Sequence, residues 1–224
     1  MKNRHLLLPF IVGILAFVCF SLVAVLFAVY TVQPHWERIL LLILPSLVFC
    51  GVGILAWKGF LHEKTTTVLT IIFTLVFLVL SAFYVAFLMF LSAEETTDPK
   101  YYERAYHQIE DGAAVKGVFP ASVPEDAQEI TFSYRPQFLQ GDEAFQFSYR
   151  TTEEQLNAWE ERLKEAAEWV GSNAEWHRMN KWGFSDADSM RYHLYWDGGY
   201  NHGEMCYALL DRASGRIGFC YSRG

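Results

Sequence analysis

The chain has 224 residues, of which 52% are hydrophobic, and a formal net charge of −7 at neutral pH. The charge is divided unevenly, because residues 1–92 carry about +3 and residues 93–224 about −10. Such an acidic second part excludes a nucleic-acid binder that follows the phosphate backbone, so no nucleic-acid partner is expected.

Three apolar runs lie in the first part, at residues 6–32, 39–57 and 68–91, and none contains Asp, Glu, Lys, Arg or His. At a rise of about 1.5 Å per residue, each is long enough to cross a hydrocarbon core of about 30 Å. The first run is longer than the apolar stretch of a signal peptide, and no small-residue cleavage site follows it. We therefore predict that residues 1–92 form three transmembrane helices in contact with the lipid bilayer.

Basic residues predict the orientation of these helices. Lys2 and Arg4 precede the first span, and Lys58 and Lys64 lie between the second and third, whereas the other loop has only Arg38. Positive loops stay on the cytoplasmic side. We expect a multi-pass protein of the cell membrane with a cytoplasmic amino terminus and an extracytoplasmic C-terminal domain.

The composition of the spans bears on their role. Without ionisable residues, they lack the groups that usually mark proton or ion pathways, which argues against a transporter or channel. Small residues such as Gly13, Gly51 and Gly53 could contact the helices of a partner membrane protein. We favour the alternative that the three helices pack on each other, because no GxxxG pattern is present.

Residues 93–117 are predicted to be a connecting helix and linker. The stretch "DPKYYERAYHQIED" has Asp98 as a helix cap and Pro99 at the first helical position. This helix would lead away from the membrane or lie along its surface. The glycines and prolines that follow indicate irregular structure.

Residues 118–224 are predicted to be an α+β domain. "EITFSY" and "AFQFSYR" alternate apolar and polar residues, which is typical of strands with one buried face. An amphipathic helix follows, with a capping box from Thr151 to Glu154 and an end at Gly171, and its charged residues should be solvated. Three further strands are expected near residues 190–196, 204–210 and 216–222. The predicted order is β-β-α-β-β-β, an antiparallel sheet with one packed helix.

Two stretches carry a resemblance. "FPASVPEDAQEITFSYRPQFLQGDEAF", the helix after it and the closing "CYALLDRASGRIGFCY" resemble outer domains of uncharacterised membrane-anchored proteins of Gram-positive gut bacteria. The resemblance covers most of residues 118–222. It implies a bacterial cell-surface setting, and it implies no activity.

Cys206 and Cys220 lie in the last two predicted strands, where an oxidising exterior permits a disulfide. If Asp211 pairs with Gly215, the cysteines are directly opposite each other. If Asp211 pairs with Arg216, they point to opposite faces, and Phe219 and Tyr221 belong to the core side. The sequence leaves both registers open.

Metal or catalytic chemistry would depend on the segment from His193 to Cys206. His193, Asp197, His202 and Glu204 are metal-ligand types, but no pair has the spacing of a known motif, so no metal or other cofactor is expected. Ser185, Asp186, Asp188 and Ser189 lie outside any nucleophile elbow, and turn or cap roles explain them more simply. We therefore predict that the protein is not an enzyme.

Aromatic residues are dense in the same region. Exposed rings there could bind a cell-surface peptide or glycan, although large aromatics are more often interior. The candidates are Trp176, Trp182, Trp196 and Tyr200. The sequence thus predicts a binding, sensing or scaffold protein. The alternatives are a surface metal-dependent protein or enzyme, and an accessory subunit of a transporter or secretion complex.

Overall fold

The structure of the chain is a computed structural model that describes residues 4–109, 115, 117–138, 141–172, 184, 189–198 and 203–224. The chain divides into two compact units, Met1–Ser92 and Ala93–Gly224.

The first unit contains three apolar helical segments, which confirms the prediction of three helices suited to a membrane. Helix α1 is Arg4–Tyr30. The second segment is Trp36–Trp57, built from α2 (Trp36–Ile39), a 3₁₀ turn (Leu40–Ile43) and α3 (Leu44–Trp57). The third is α4 (Glu63–Leu91). All three are long and apolar enough to cross a bilayer.

The ends of the helices differ from the predicted span boundaries, because a helix can begin or end outside the apolar run that crosses the membrane. Helix α4 begins five residues before the predicted span. Its early threonine hydroxyls bond back to the preceding turn, as Thr66 Oγ1 does to the His62 carbonyl at 3.1 Å. The 3₁₀ turn before α3 ends just ahead of Pro45, which has no N–H for a helical bond.

Small residues allow α1 and α3 to approach closely. A Cβ on Gly53 would lie 2.7 Å from the Phe10 ring, and a Cβ on Gly13 would lie 3.3 Å from the Phe49 Cβ. Gly51 has nothing within 4 Å of such a position. Two of the three glycines therefore serve packing within this unit, as we favoured.

The second unit is a six-stranded antiparallel sheet with the strand order β1-β2-β6-β5-β4-β3. The strands are β1 (Gln128–Arg135), β2 (Glu143–Arg150), β3 (Trp169–Ser172), β4 (Ser189–Asp197), β5 (Glu204–Asp211) and β6 (Arg216–Arg223). Helix α5 (Tyr102–Ile109) follows a 3₁₀ turn at Pro99–Tyr101, and α6 (Glu153–Ala166) lies between β2 and β3. The five predicted strands are confirmed, but a sixth strand and the helix α5 change the order to α-β-β-α-β-β-β-β, with two packed helices where one was predicted.

The sixth strand, β3, occupies residues that we predicted to be the end of the amphipathic helix. That prediction was wrong, because α6 stops at Ala166 and the next residue is extended. Trp169 and Val170 have the aromatic and β-branched side chains that favour strands, and they pair with β4. The predicted N-terminal cap of α6, Thr151, was also wrong by one residue. Thr152 caps the helix, since its Oγ1 accepts from the Gln155 N–H at 3.3 Å.

Both helices cover one face of the sheet, which we call the helix face. Tyr102 of α5 packs against Phe132, Phe145 and Phe147, with ring centroids 4.2–5.8 Å apart. Trp159 of α6 meets Phe219 at 5.0 Å. Helix α5 was predicted to be part of a connecting segment. It instead belongs to the core of the second unit, because its apolar side chains are buried on the sheet.

Helix α6 is fixed to the sheet by an acidic residue that we expected to be solvated. Glu160 Oε1 accepts from the Tyr192 hydroxyl at 3.2 Å, and its other oxygen pairs with Arg212. Bonds from Lys164 and Arg212 hold the pKa of Glu160 at about 2.

Candidate functional site

The predicted metal ligands do not converge. His193 pairs across the sheet with Tyr207 on the face opposite to the helices, whereas Glu204 pairs with Arg223 and Asp197 on the helix face. Since adjacent strands share a face at paired positions, His193 and Glu204 point away from each other. His202 lies outside the described residues. Within the described part of the chain, no group of three or more His, Cys, Asp or Glu side chains could hold a metal.

The cysteines also lie on opposite faces. Asp211 pairs with Arg216, so Cys206 is opposite Tyr221 and Cys220 is opposite Tyr207. The register that would have allowed a Cys206–Cys220 disulfide is therefore not the one found, and both thiols are free and buried. Burial raises the pKa of Cys220 to about 12, which leaves it a poor nucleophile.

The face opposite to the helices carries a buried polar cluster around Arg191. The Arg191 guanidinium stacks 3.7 Å from the Tyr207 ring centroid, and Phe184 packs over Tyr207 and Cys220. Burial, with the nearby Arg191 charge, lowers the pKa of His193 to about 4. Packing holds the Phe184 side chain against this face of the sheet, and the cation–π contact joins Arg191 to Tyr207 within it.

Of the four predicted aromatic contact residues, the structure describes one. The Trp196 side chain is 57% exposed at the end of β4. Trp176, Trp182 and Tyr200 lie outside the described residues, as do Ser185, Asp186 and Asp188. Trp169 of β3 is also exposed, at 41%.

A pocket on the helix side of the second unit is a stronger candidate. It has a volume of about 300 Å³ and lies between α6, the end of β2 and the loop before β1. Helix α6 contributes one face at three- and four-residue spacing, and Tyr149 of β2 and the loop form the other walls. The lining residues are Pro124, Asp126, Tyr149, Gln155, Ala158, Trp159 and Arg162.

Tyr149 is the buried polar group of this pocket. Its side chain is only 1% exposed, and its hydroxyl makes no hydrogen bond of normal geometry in the described part of the chain. Burial raises its pKa, and the Trp159 indole N–H lies close enough to lower it by a smaller amount. An N–H donor does not satisfy the hydroxyl proton, so Tyr149 retains a donor without an acceptor.

The aromatic and charged walls of the pocket are fixed by local contacts. The Arg162 guanidinium stacks 4.4 Å from the Trp159 ring centroid, and its Nη2 donates to the Gly117 carbonyl at 3.1 Å. Asp126 Oδ2 accepts from the Thr151 hydroxyl at 2.5 Å. These bonds hold both charges at the pocket wall in the absence of a ligand.

Sequence reasoning missed this pocket. Trp159 was predicted to face the core, which it does, and Tyr149 was predicted to lie on a buried strand face. The available signal was Arg162, three residues after Trp159, since this spacing places a guanidinium over a ring on one helix face. No pattern in the sequence indicated that residues 124–126 would line a pocket with α6.

Comparison of the chain with family models, with curated proteins and with solved structures finds no significant match.

Proposed function

We propose that this is a membrane-anchored binding protein whose extracytoplasmic second unit takes a small polar ligand in the pocket lined by Tyr149, Trp159 and Arg162. The observation that carries the proposal is the buried Tyr149 hydroxyl, whose proton has no acceptor in the described residues. An unsatisfied buried donor costs free energy that a ligand oxygen would recover. A pocket with a few polar groups on aromatic walls is the usual form of a small-molecule site.

A binding role fits the chemistry of the unit better than catalysis. The buried thiols have raised pKa values, and His193 points away from Glu204 and Asp197. The pocket offers donors and charges that orient a ligand, and none of the described residues that line it is a Ser, Thr, Cys or Lys that could act as a nucleophile.

The proposal is tested on the full-length protein in lipid nanodiscs. A library of small polar compounds is screened by saturation-transfer NMR, and each hit is measured again with Tyr149→Phe and Arg162→Gln. We expect at least one compound whose affinity falls tenfold or more in both variants. Hits that bind equally well to both variants would contradict the assignment of the site.

The orientation is tested separately in whole cells. In a Cys19→Ala, Cys50→Ala background, a cysteine introduced at the exposed Asp142 should react with a membrane-impermeant maleimide. One introduced at Phe60, which is 73% exposed in the loop between α3 and α4, should react only after permeabilisation. The reverse pattern would place the pocket in the cytoplasm.

The accessory-subunit alternative is favoured by a different observation. An apolar groove of about 540 Å³ lies between α1, α3 and α4, and Cys19 and Ser81 are among its small lining residues. A photo-crosslinker on Cys19, in a Cys50→Ala background, should capture a partner membrane protein if this is the docking surface. The matched control is a label at Leu22 of α1, whose side chain is 61% exposed. Equal capture of lipid alone from both positions would dismiss this alternative.

A further inference from the structure

The lining of the pocket at α6 includes one acidic residue and one basic residue. Arg162 and Asp126 both line it, and both act on the Tyr149 hydroxyl, since Asp126 raises the pKa of Tyr149 and Arg162 lowers it, after the larger effect of burial. The two charged residues of the lining therefore have no net charge together, but one is a cation and the other an anion.

Neither charge is neutralised by the other. Among the described residues, Arg162 forms no ion pair, and it donates one hydrogen bond, to a backbone carbonyl, so most of its five N–H donors remain available. Asp126 accepts one bond from a neutral hydroxyl, which leaves its second oxygen available. A ligand can therefore engage both groups without breaking an existing ion pair.

The aromatic wall restricts the ligand further. One face of Trp159 is covered by the Arg162 guanidinium, and Phe219 approaches the ring at 5.0 Å with an interplanar angle of 67°. Because Trp159 is only 8% exposed, little of its ring is available for a sugar to stack on. Recognition must come from the polar groups.

We propose that the ligand of this pocket is a free α-amino acid, a zwitterion whose carboxylate is bound by Arg162 and the Tyr149 hydroxyl and whose ammonium is bound by Asp126. This inference rests on the proposed function. A simple anion would leave Asp126 facing a like charge, and a simple cation would do the same to Arg162. The volume of about 300 Å³ is at the lower end for ligand pockets, which suits an amino acid.

The test uses the full-length protein in nanodiscs and measures binding of the common L-amino acids by calorimetry. Each hit is compared with its carboxamide and its N-acetyl derivative. Both derivatives should bind at least tenfold more weakly, because each loses the charge-assisted contact of one end of the ligand with the pocket.

Charge variants assign each end of the ligand. Arg162→Gln should weaken the amino acid at least tenfold and abolish discrimination against the carboxamide, while Asp126→Asn should abolish discrimination against the N-acetyl form. Arg135→Gln and Asp142→Asn, which remove the same charges at exposed positions outside the pocket, should leave affinity unchanged.

The outcomes separate the two proposals. If no amino acid binds, or if a blocked derivative binds as well as the parent, the zwitterion assignment is overturned. If another compound then binds and loses affinity in Tyr149→Phe, the pocket remains a binding site for a different class. If no compound of any class is sensitive to Tyr149→Phe, both proposals fail.

Discussion

Two buried tyrosines on the helix face provide a direct test of the pocket. Tyr134 donates its hydroxyl proton to Glu143 Oε1 at 2.8 Å, whereas the Tyr149 hydroxyl makes no hydrogen bond of normal geometry in the described residues. Both side chains are at most 2% exposed. Replacement by Phe removes the same single oxygen from each, so the two variants differ chiefly in whether a hydrogen bond is lost.

The expected effects on stability have opposite signs. Tyr134→Phe removes a bond to a half-buried carboxylate and should lower the free energy of unfolding by about 1–3 kcal/mol. Tyr149→Phe removes a donor that lacks an acceptor, so the ligand-free protein should be unchanged or more stable by up to about 1 kcal/mol. The close approach of the Trp159 indole N–H limits that gain, because the indole loses a nearby oxygen.

The measurement is amide hydrogen exchange of β2 and β6 in the full-length protein in nanodiscs. Exchange in these central strands reports the larger opening reactions of the second unit. A loss of protection in Tyr149→Phe as large as that in Tyr134→Phe would show that the Tyr149 hydroxyl already has a partner. The physical basis of the proposed binding site would then be removed.

Three further changes test other parts of the structure. The pKa of His193 falls from about 6.5 in the unfolded chain to about 4 in the fold, so stability should drop by roughly 2–3 kcal/mol as the pH falls from 6.5 to 4. His193→Gln should reduce this pH dependence of stability, measured by hydrogen exchange. An unchanged pH dependence would show that another group causes it. Gly53→Ala should weaken the packing of α1 on α3 and lower the thermal midpoint in nanodiscs, whereas Gly51→Ala, on the same helix, should not; equal effects would contradict the Phe10 contact. Gly218→Ala would place a Cβ 2.8 Å from the Phe184 ring and should lower the free energy of unfolding by about 1–3 kcal/mol. Unchanged stability, measured by hydrogen exchange of β6, would contradict this contact.

Much of the second unit could be predicted from local pattern alone. The alternation in β1 and β2 and the apolar spacing of α6 each reflect one buried face, and a pattern of this kind needs no knowledge of the partner element. The short strand β3 could not be predicted in this way, because four residues are too few for a period and Val170, seven residues after Leu163, continues the apolar spacing of α6. Its identity depends on pairing with β4, which is a tertiary contact.

The candidate site was less predictable because its residues come from three separate elements. Trp159 and Arg162 are near each other in sequence, but Tyr149 is ten residues before Trp159 and Asp126 lies before β1. Each has a sufficient local explanation, as core aromatic, helix surface or loop residue. Only the fold brings the unsatisfied hydroxyl together with the two charges.

The turn of the last hairpin sets the pairing register of β5 and β6, and the register determines which face of the sheet each side chain occupies. Gly215 has a φ of +69°, which places it in the loop, and Asp211 Oδ1 accepts from the Ser214 N–H at 3.2 Å. Asp211 must then pair with Arg216, and Phe219 faces the helices. The same register sends Cys206 to the helix face and Cys220 to the other. A turn one residue shorter would align the cysteines only by turning β5 or β6 over, which would remove Ala208 and Leu210, or Phe219, from the helix face. The packing of this face against α6, which also forms the pocket wall, therefore opposes the disulfide.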